Sequence, residues 1–254
     1  MAEFQPIATM RSAFPTKFGI PRQSGLVTEL KSTIVFEPPY RNPEMLRGIE
    51  GFSHLWLIWS FSQSGDHWSP TVRPPRLGGN QRMGVFATRS PFRPNNIGLS
   101  SVRLERVELH TPEGPVLHVS GADLMDGTPI FDIKPYIPYA DCHPDAQAGF
   151  TTQLDERMVT VECPPELLNK IPAETQPALL AVLSHDPRPS YQNDPERVYG
   201  MAFAGWNVRF RVQKKTLTVC EIDPTKGRTN GVNSEDFTVF YVWQSSVHME
   251  DGTL

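Results

Sequence analysis

One stretch of fifteen residues, FATRSPFRPNNIGLS at positions 86–100, combines anion-binding side chains with a stiff backbone. Arg89 and Arg93 each carry a planar guanidinium group, whose donors match the geometry of a carboxylate or a phosphate. Pro91 and Pro94 fix the backbone angle φ, so a loop that contains them loses less conformational entropy when it binds a ligand. The segment therefore predicts a preorganised loop that binds an anionic group.

Positive charge extends beyond this loop, although the whole chain has a formal net charge of −4. Between residues 71 and 106 a single acid, Glu105, stands against seven arginines: Arg73, Arg76, Arg82, Arg89, Arg93, Arg103 and Arg106. Such a patch is typical of a surface that meets an anionic partner. A solvated basic face that pairs with acids elsewhere in the fold would have the same composition, so both interpretations stay open.

Three other polar segments, each marked by proline or glycine, interrupt regions that look like strands: IPRQSG at 20–25, SQSGDHW at 62–68 and LMDGTPIFDIKPY at 124–136. Loops on a rigid β scaffold commonly carry binding residues. Structural explanations remain for single residues, since Asp-Gly favours an ordinary turn. His54 and the aromatic residues that follow it, Trp56 and Trp59, suit a buried core.

Motifs that define several enzyme classes are missing from the sequence. It has no GxGxxG after a strand, no GxxxxGK[ST], no HExxH and no GxSxG, which argues against the common nucleotide-binding folds, zinc proteases and serine hydrolases. Cys142, Cys163 and Cys220 are widely spaced and form no CxxC pair, so we expect reduced thiols and no metal site. A cofactor would have to be held by a non-Rossmann fold.

The elements that must position these segments are mostly short strands. The chain has 25 prolines and 18 glycines, and its apolar residues recur in short runs between turns. Residues 55–61 predict a strand buried on both faces, and MGVFATRS at 83–90 predicts another. Many short strands without helical patterns between them favour a β-barrel or a β-sandwich.

The pattern changes near residues 145–165. Residues 146–164 predict a linker, and apolar residues then recur at helical spacing as far as residue 183 before two further strands. We therefore expect a mainly β fold, with one domain at 1–145 and a smaller α+β domain at 165–254. In the tail that follows residue 226, DFTVFYVW at 236–243 predicts one more strand.

No apolar run approaches the roughly 20 residues that a membrane helix needs. The first ten residues, MAEFQPIATM, lack the basic and apolar regions of a signal peptide. We therefore expect a cytoplasmic protein that does not bind membranes.

Taken together, RMGVFATRSPFRPNNIGLSSVRL (82–104) and DGTPIFDIKPYIPYAD (126–141) resemble the TsaA-like family of the VirR or YaeB type, whose bacterial two-domain members are the TrmO tRNA methyltransferases. The likeness extends to PRQSGL (21–26), RGIEGFSHLWLIWSF (47–61), HDPRPSY (185–191) and FAGWNVRFRV (203–212). It covers roughly residues 4–225.

The resemblance implies a homodimer whose N-terminal β-barrel binds S-adenosylmethionine. It also implies methyl transfer to N6 of threonylcarbamoyladenosine, at tRNA position 37 next to the anticodon of threonine tRNA. The cofactor contacts that it implies are Pro21, Arg22, Gln23, Ser62, Gln63, Arg89, Leu99, Asp126, Gly127, Thr128 and Pro129. Family members often carry a histidine where this chain has Ser62.

The chemistry of these residues agrees with such a ligand, because arginine pairs well with the carboxylate of the cofactor. A group that removes the N6 proton would help the transfer, and the candidates by chemistry are Asp126, Asp132 and Tyr136. We expect Arg89 to face the cofactor and the C-terminal domain to contribute to tRNA binding. The tRNA-binding candidates are Arg73, Arg76, Arg93, Arg103, Arg209 and Arg211.

Other functions remain open at this point. The alternating pattern around Arg209 and Arg211 is equally typical of any half-buried strand. A non-catalytic β-barrel that senses S-adenosylmethionine or another anionic ligand, or that binds RNA, is the alternative function. A third hypothesis keeps the cofactor and changes the methyl acceptor.

Overall fold

The computed structural model describes residues 4–65, 67–77, 81–153, 158–188 and 194–225. The tail after residue 225, including the strand predicted at 236–243, lies outside these residues. Of the predicted tRNA-binding residues, Arg76 has no described side chain.

Six antiparallel strands close into a barrel, in the order β1-β2-β7-β6-β3-β8. Their bounds are β1 Ala8–Arg11, β2 Lys31–Phe36, β3 His54–Ser60, β6 Ile97–Glu108, β7 Val116–Ser120 and β8 Pro129–Pro135. Two short strands, β4 (Thr71–Val72) and β5 (Met83–Gly84), pair with each other beside the barrel. The prediction of a mainly β fold with an N-terminal barrel is confirmed.

A second sheet follows, with strand order β10-β11-β12-β9. Its strands are β9 Thr160–Glu162, β10 Tyr199–Phe203, β11 Trp206–Gln213 and β12 Thr216–Pro224, and β9 runs parallel to β12. The described helices are α1 Pro138–Asp141, α2 Pro165–Leu168 and α3 Gln176–Ser184. The 3-10 helices of the described residues are Pro38–Tyr40, Pro43–Leu46, Ile49–Gly51, Pro75–Leu77, Val85–Ala87 and Gly149–Gln153. The domain boundaries at 145 and 165 stay predictions.

Two of the predicted strands differ in the structure. In β3 the side chains alternate, so that Leu55, Leu57 and Trp59 are buried while their neighbours are half-buried; the prediction of burial on both faces is wrong. The strand predicted at 83–90 ends at Gly84, because the chain turns into a 3-10 helix at Val85. Arg89 therefore lies on a loop rather than at the end of a strand.

The barrel and the second sheet have separate apolar cores. The core of the second sheet includes three residues from the N-terminal part of the chain, Phe14, Val27 and Leu30. They belong to the first loop, defined here as residues 14–30. Gly19 of this loop has a φ of 92°, and a Cβ there would lie 2.2 Å from Met201 Sδ, so only glycine fits this approach. The first loop thus packs against both units.

None of the helices in the described ranges is long and apolar enough to cross a membrane.

Candidate cofactor and substrate cleft

A cleft of about 900 Å³ opens at one end of the barrel. Residues from 17–23, 56–64, 88–99 and 123–128 line it. The last residue of β3, Ser60, pairs with the first of β6, Ile97, so the segments after β3 and before β6 meet at this end. Ile130 near the start of β8 pairs with Trp59. The barrel topology therefore brings together loops that are far apart in the sequence.

Most of the predicted cofactor residues line this cleft, namely Pro21, Arg22, Gln23, Ser62, Gln63, Arg89, Leu99 and Thr128. Ser62 and Gln63 are exposed immediately after β3. Leu99, on β6, has 57% of its surface exposed. The cleft thus gathers residues from all four predicted segments, and their contact with a cofactor stays a prediction.

The turn DGTP at 126–129 contributes only Thr128 to the cleft lining. The other three predicted cofactor residues of this turn, Asp126, Gly127 and Pro129, lie outside the lining. The amide of Asp126 donates to the Phe14 carbonyl at 2.8 Å, and its Oδ1 accepts from the Ser12 amide at 3.0 Å. Gly127 has a φ of 77°, and Pro129 begins β8. These contacts are those of an ordinary turn that joins the barrel to the first loop.

Arg89 and Gln23 are hydrogen-bonded partners across the cleft. The Nη1 of Arg89 donates to Oε1 of Gln23, and Nε2 of Gln23 donates to the Arg22 carbonyl. Because Arg89 is exposed and a guanidinium group has five N–H donors, it retains donors for a ligand carboxylate.

Arg22 connects the first loop to the C-terminal unit. Its Nη2 donates to the carbonyls of Asp186 and Arg188, at 3.3 and 3.2 Å. Those two residues form a bidentate ion pair, with Nε and Nη2 of Arg188 at 2.8 and 2.9 Å from the two carboxylate oxygens. Asp186 has a φ of 46°, so this turn is strained and the ion pair helps to hold it.

Arg93 is directed back onto its own loop. Its Nη1 donates to the carbonyls of Thr88 and Ser90, at 3.2 and 3.3 Å, while the residue lines the cleft. The sequence interpretation assigned Arg89 to the cofactor and Arg93 to RNA. In the structure both arginines face the same cleft.

Two cleft residues were missed by the sequence analysis. Lys17 lines the cleft and its Nζ donates to the Gln63 carbonyl; burial lowers the pKa of this lysine. Asp123 also lines the cleft, and its Oδ1 accepts from the Ser100 hydroxyl at 2.6 Å. In the sequence, Asp123 stands in the run VSGADLM at 119–125, whose other residues are small or apolar. A carboxylate in such a run indicates a buried acid that needs hydrogen-bond partners.

Asp123 belongs to a fixed hydrogen-bonded chain. The indole Nε1 of Trp59 donates to Ser100 Oγ at 3.0 Å, and Ser100 donates to Asp123. Burial raises the pKa of Asp123, and this effect is opposed by hydrogen bonds from Ser100 and from the amides of Asp123 and Ser24, and by the charge of Arg89. The cleft therefore holds a carboxylate whose pKa lies above its ordinary value.

The three predicted proton acceptors are not part of the lining. Asp126 is held in the turn, and Asp132 forms an ion pair with Lys134 at 3.0 Å. The ring of Tyr136 packs beside Trp56 at 5.6 Å between centroids, and burial raises the pKa of its hydroxyl. Nothing in this arrangement brings the three groups to the cleft.

Several of the arginines proposed for tRNA have acidic partners. Arg103 lies 3.8 Å from Glu105, and Arg209 lies 2.8 Å from Glu221. Arg73 and Arg211 are exposed. Two arginines of the basic patch, Arg89 and Arg93, line the cleft together with two cations of the first loop, Lys17 and Arg22. Within the described ranges no group of three His, Cys, Asp or Glu side chains is arranged to hold a metal ion.

Comparisons with known proteins place this geometry in context. Residues 9–142 match the model of the tRNA-methyltransferase O N-terminal domain, and residues 150–225 match the TrmO C-terminal domain. The tRNA (adenine(37)-N6)-methyltransferase of Escherichia coli is 40% identical over 238 residues, which cover 87% of this chain and 98% of that protein.

Two further comparisons bear on the fold and the cofactor. The crystal structure of TrmO from Pseudomonas aeruginosa superposes with a TM-score of 0.72 at 33% identity, and covers 89% of this chain and 98% of that one. A Pyrococcus abyssi protein named "Probable S-adenosyl-L-methionine-binding protein" is 35% identical over 148 residues, which cover 58% of this chain and 74% of that protein.

Proposed function

The chain belongs to the TrmO family of tRNA methyltransferases, and we propose that it transfers a methyl group from S-adenosylmethionine to N6 of adenosine 37 in tRNA. The acceptor in this proposal is threonylcarbamoyladenosine in threonine tRNA. The single observation that supports this choice of acceptor is the net positive charge of the side chains that line the cleft.

Among the described residues that line the cleft, four are cations and one, Asp123, is an anion. S-adenosylmethionine carries a sulfonium, an ammonium and one carboxylate, so it adds positive charge to a site that is already positive. Like charges in a partly desolvated site repel. An acceptor that brings its own carboxylate, as a threonylcarbamoyl group does, and that is flanked by phosphates would offset this repulsion.

The cleft residues fit the cofactor by chemistry. Arg89 can pair with its carboxylate, and the side-chain amides of Gln23 and Gln63 can donate and accept at hydroxyl groups and ring nitrogens. Phe61 and Leu99 offer apolar surface. The cofactor supplies an electrophilic methyl group, and the protein contributes mainly alignment, which can be worth roughly 7–11 kcal/mol.

Lys17 is the residue that we assign to the acceptor's carboxylate. It stands on the first loop at the cleft, beside the Gln63 carbonyl, and an ammonium group keeps two further donors there. Arg93 lines the same cleft, with Nη1 bonded within its own loop, and its positive charge attracts the flanking phosphates.

We further propose a cytoplasmic homodimer. Trp68 and Phe86 lie outside the cleft lining and expose 56% and 79% of their surface, and large exposed apolar side chains support an interface. The alignment covers 98% of the E. coli relative, which is named as a methyltransferase. This similarity favours a catalytic function over the non-catalytic sensor.

The test uses labelled S-adenosylmethionine and threonine tRNA prepared with and without the threonylcarbamoyl group. We expect label in the modified tRNA, and nucleoside mass spectrometry should locate it on N6. Equal labelling of both tRNAs would overturn the proposed acceptor, and no labelling of either would overturn the activity. Lys17→Gln should raise the KM for modified tRNA and change the cofactor Kd less.

A further inference from the structure

Methylation of N6 in a threonylcarbamoyl group requires a proton to leave. The nitrogen carries one hydrogen, and its lone pair is delocalised into the adjoining carbonyl. Attack on the methyl group without loss of that hydrogen would leave a strongly acidic cation, so a base that takes the proton during the transfer would accelerate the reaction.

The described residues that line the cleft offer few groups able to act as that base. They include no histidine, cysteine, glutamate or tyrosine. Arginine stays protonated. Burial lowers the pKa of Lys17, but its ammonium group donates to the Gln63 carbonyl, and this bond favours the protonated form. The hydroxyl and amide groups are poor bases. Asp123 supplies the only carboxylate among these lining residues.

The surroundings of Asp123 fix its position. Ser100, which donates to it at 2.6 Å, is only 1% exposed and is itself held by the indole of Trp59. That indole packs on Gly98, where a Cβ would lie 2.3 Å from the ring. The carboxylate is therefore anchored from the barrel wall while it lines the cleft, an arrangement that suits a group acting on a bound substrate.

Burial and the neighbouring groups act on the pKa of Asp123 in opposite directions. Burial raises its pKa and so strengthens it as a base, while the hydroxyl of Ser100, the amides of Asp123 and Ser24, and the charge of Arg89 stabilise the carboxylate. Lys17, Arg22 and Arg93 add positive charge around the same cleft.

We propose that Asp123 is the proton acceptor of the methyl transfer. The proposal rests on the proposed function. As the N6 lone pair forms the new bond to the methyl carbon, the carbon–sulfur bond breaks and its electron pair stays on sulfur, which leaves as a neutral thioether. The N6 proton passes to the Asp123 carboxylate, and solvent removes it after the transfer.

The experiment compares the full-length wild type with Asp123→Asn, and uses Glu37→Gln as the matched control. Glu37 also accepts a hydrogen bond from a hydroxyl, that of Thr9 at 2.7 Å, but it does not line the cleft. Three quantities are measured: the Kd of S-adenosylhomocysteine by calorimetry, the single-turnover rate against pH with modified tRNA, and the carboxyl titration by isotope-edited infrared spectroscopy.

We expect Asp123→Asn to keep the Kd within about threefold and to lower the rate by about 10²–10⁴-fold, the range of general-base catalysis. The acid limb of the pH–rate profile should disappear in this variant and remain in Glu37→Gln. The raised carboxyl titration should vanish only in Asp123→Asn, a result independent of turnover.

Ser100→Ala provides a second variant if Asp123→Asn does not fold. It removes a donor that stabilises the carboxylate, so both the infrared titration and the acid limb should move to higher pH. A stationary acid limb would overturn the proposal. So would an Asp123→Asn variant that binds cofactor tenfold more weakly yet reacts at the wild-type rate when saturated, because Asp123 would then anchor the cofactor. A wild type without activity would instead overturn the proposed function.

Discussion

The ion pair between Asp186 and Arg188 offers a direct test of how the C-terminal unit supports the cleft. The two side chains are 6% and 9% exposed and form two hydrogen bonds of 2.8 and 2.9 Å. Asp186→Asn keeps the size of the side chain and tolerates the φ of 46°, so it removes mainly the charge. It leaves Arg188 buried without a counter-charge.

The expected loss is about 3–5 kcal/mol, the usual cost of removing one partner of a buried pair. Total stabilities are only about 5–15 kcal/mol, so the effect should be large. With a urea m-value of about 2–3 kcal/mol/M, the unfolding midpoint should fall by at least about 1 M. Asp186 raises the pKa of Arg188 through their hydrogen bonds, so the arginine stays charged and the substitution leaves a buried cation.

Urea unfolding followed by tryptophan fluorescence measures this loss, with Asp194→Asn as the matched control. Asp194 is exposed and accepts from the Glu196 amide at 3.0 Å, a bond that asparagine can also accept, so the control should change stability by less than about 0.5 kcal/mol. A loss below about 1 kcal/mol in Asp186→Asn would refute the reasoning. Because Arg22 donates to carbonyls of this turn, calorimetry under folded conditions should also show weaker cofactor binding.

Three other changes follow from particular contacts. Arg89→Ala should weaken cofactor binding about 10- to 100-fold, the value of a charge-assisted hydrogen bond, and tRNA binding less; calorimetry and filter binding compare the two. Gly98→Ala should cost at least about 1–3 kcal/mol, because its Cβ would overlap Trp59, and a lower thermal midpoint would show it. The hydrogen bond from Ser120 lowers the pKa of Glu105, so its stabilisation is present above the unfolded pKa and lost as pH falls through the folded pKa. Glu105→Gln should therefore reduce stability at neutral pH and not in strong acid, which urea unfolding at both pH values checks.

The elements that local pattern determines were predictable. The helical spacing that ends at residue 183 and becomes α2 and α3 follows from periodicity within one segment. The strand predicted at 83–90 failed for a non-local reason. The amide of Val85 donates to the Pro70 carbonyl at 3.0 Å, in register with the pairing of β4 and β5, but Pro70 has no N–H with which to extend the ladder, and the chain turns into a 3-10 helix at Val85.

The cleft residues that belong to sequence motifs could be predicted. The residues whose chemistry depends on burial in the folded protein could not. PRQ, SQ and the arginine loop could be placed together by their resemblance to a family. Asp123 lies in an apolar run, so its side chain gains its function only from Ser100, Trp59 and the barrel that buries them. Lys17 has no motif around it in the sequence, and its place in the cleft depends on the fold of the first loop, which brings its Nζ to the Gln63 carbonyl.

The contacts of the first loop also change how the two units should be separated experimentally. The sequence suggested that the C-terminal domain contributes to tRNA binding and that the N-terminal barrel binds the cofactor. Phe14, Val27 and Leu30, on either side of the PRQ motif, are buried in the C-terminal core. Removing that unit would expose all three and release Arg22 from its two carbonyl partners, so a truncation near residue 160 should weaken cofactor binding as well as tRNA binding. The two ligands can therefore be distinguished only by point substitutions in the cleft, where Arg89 and Lys17 stand on different loops within one folded protein.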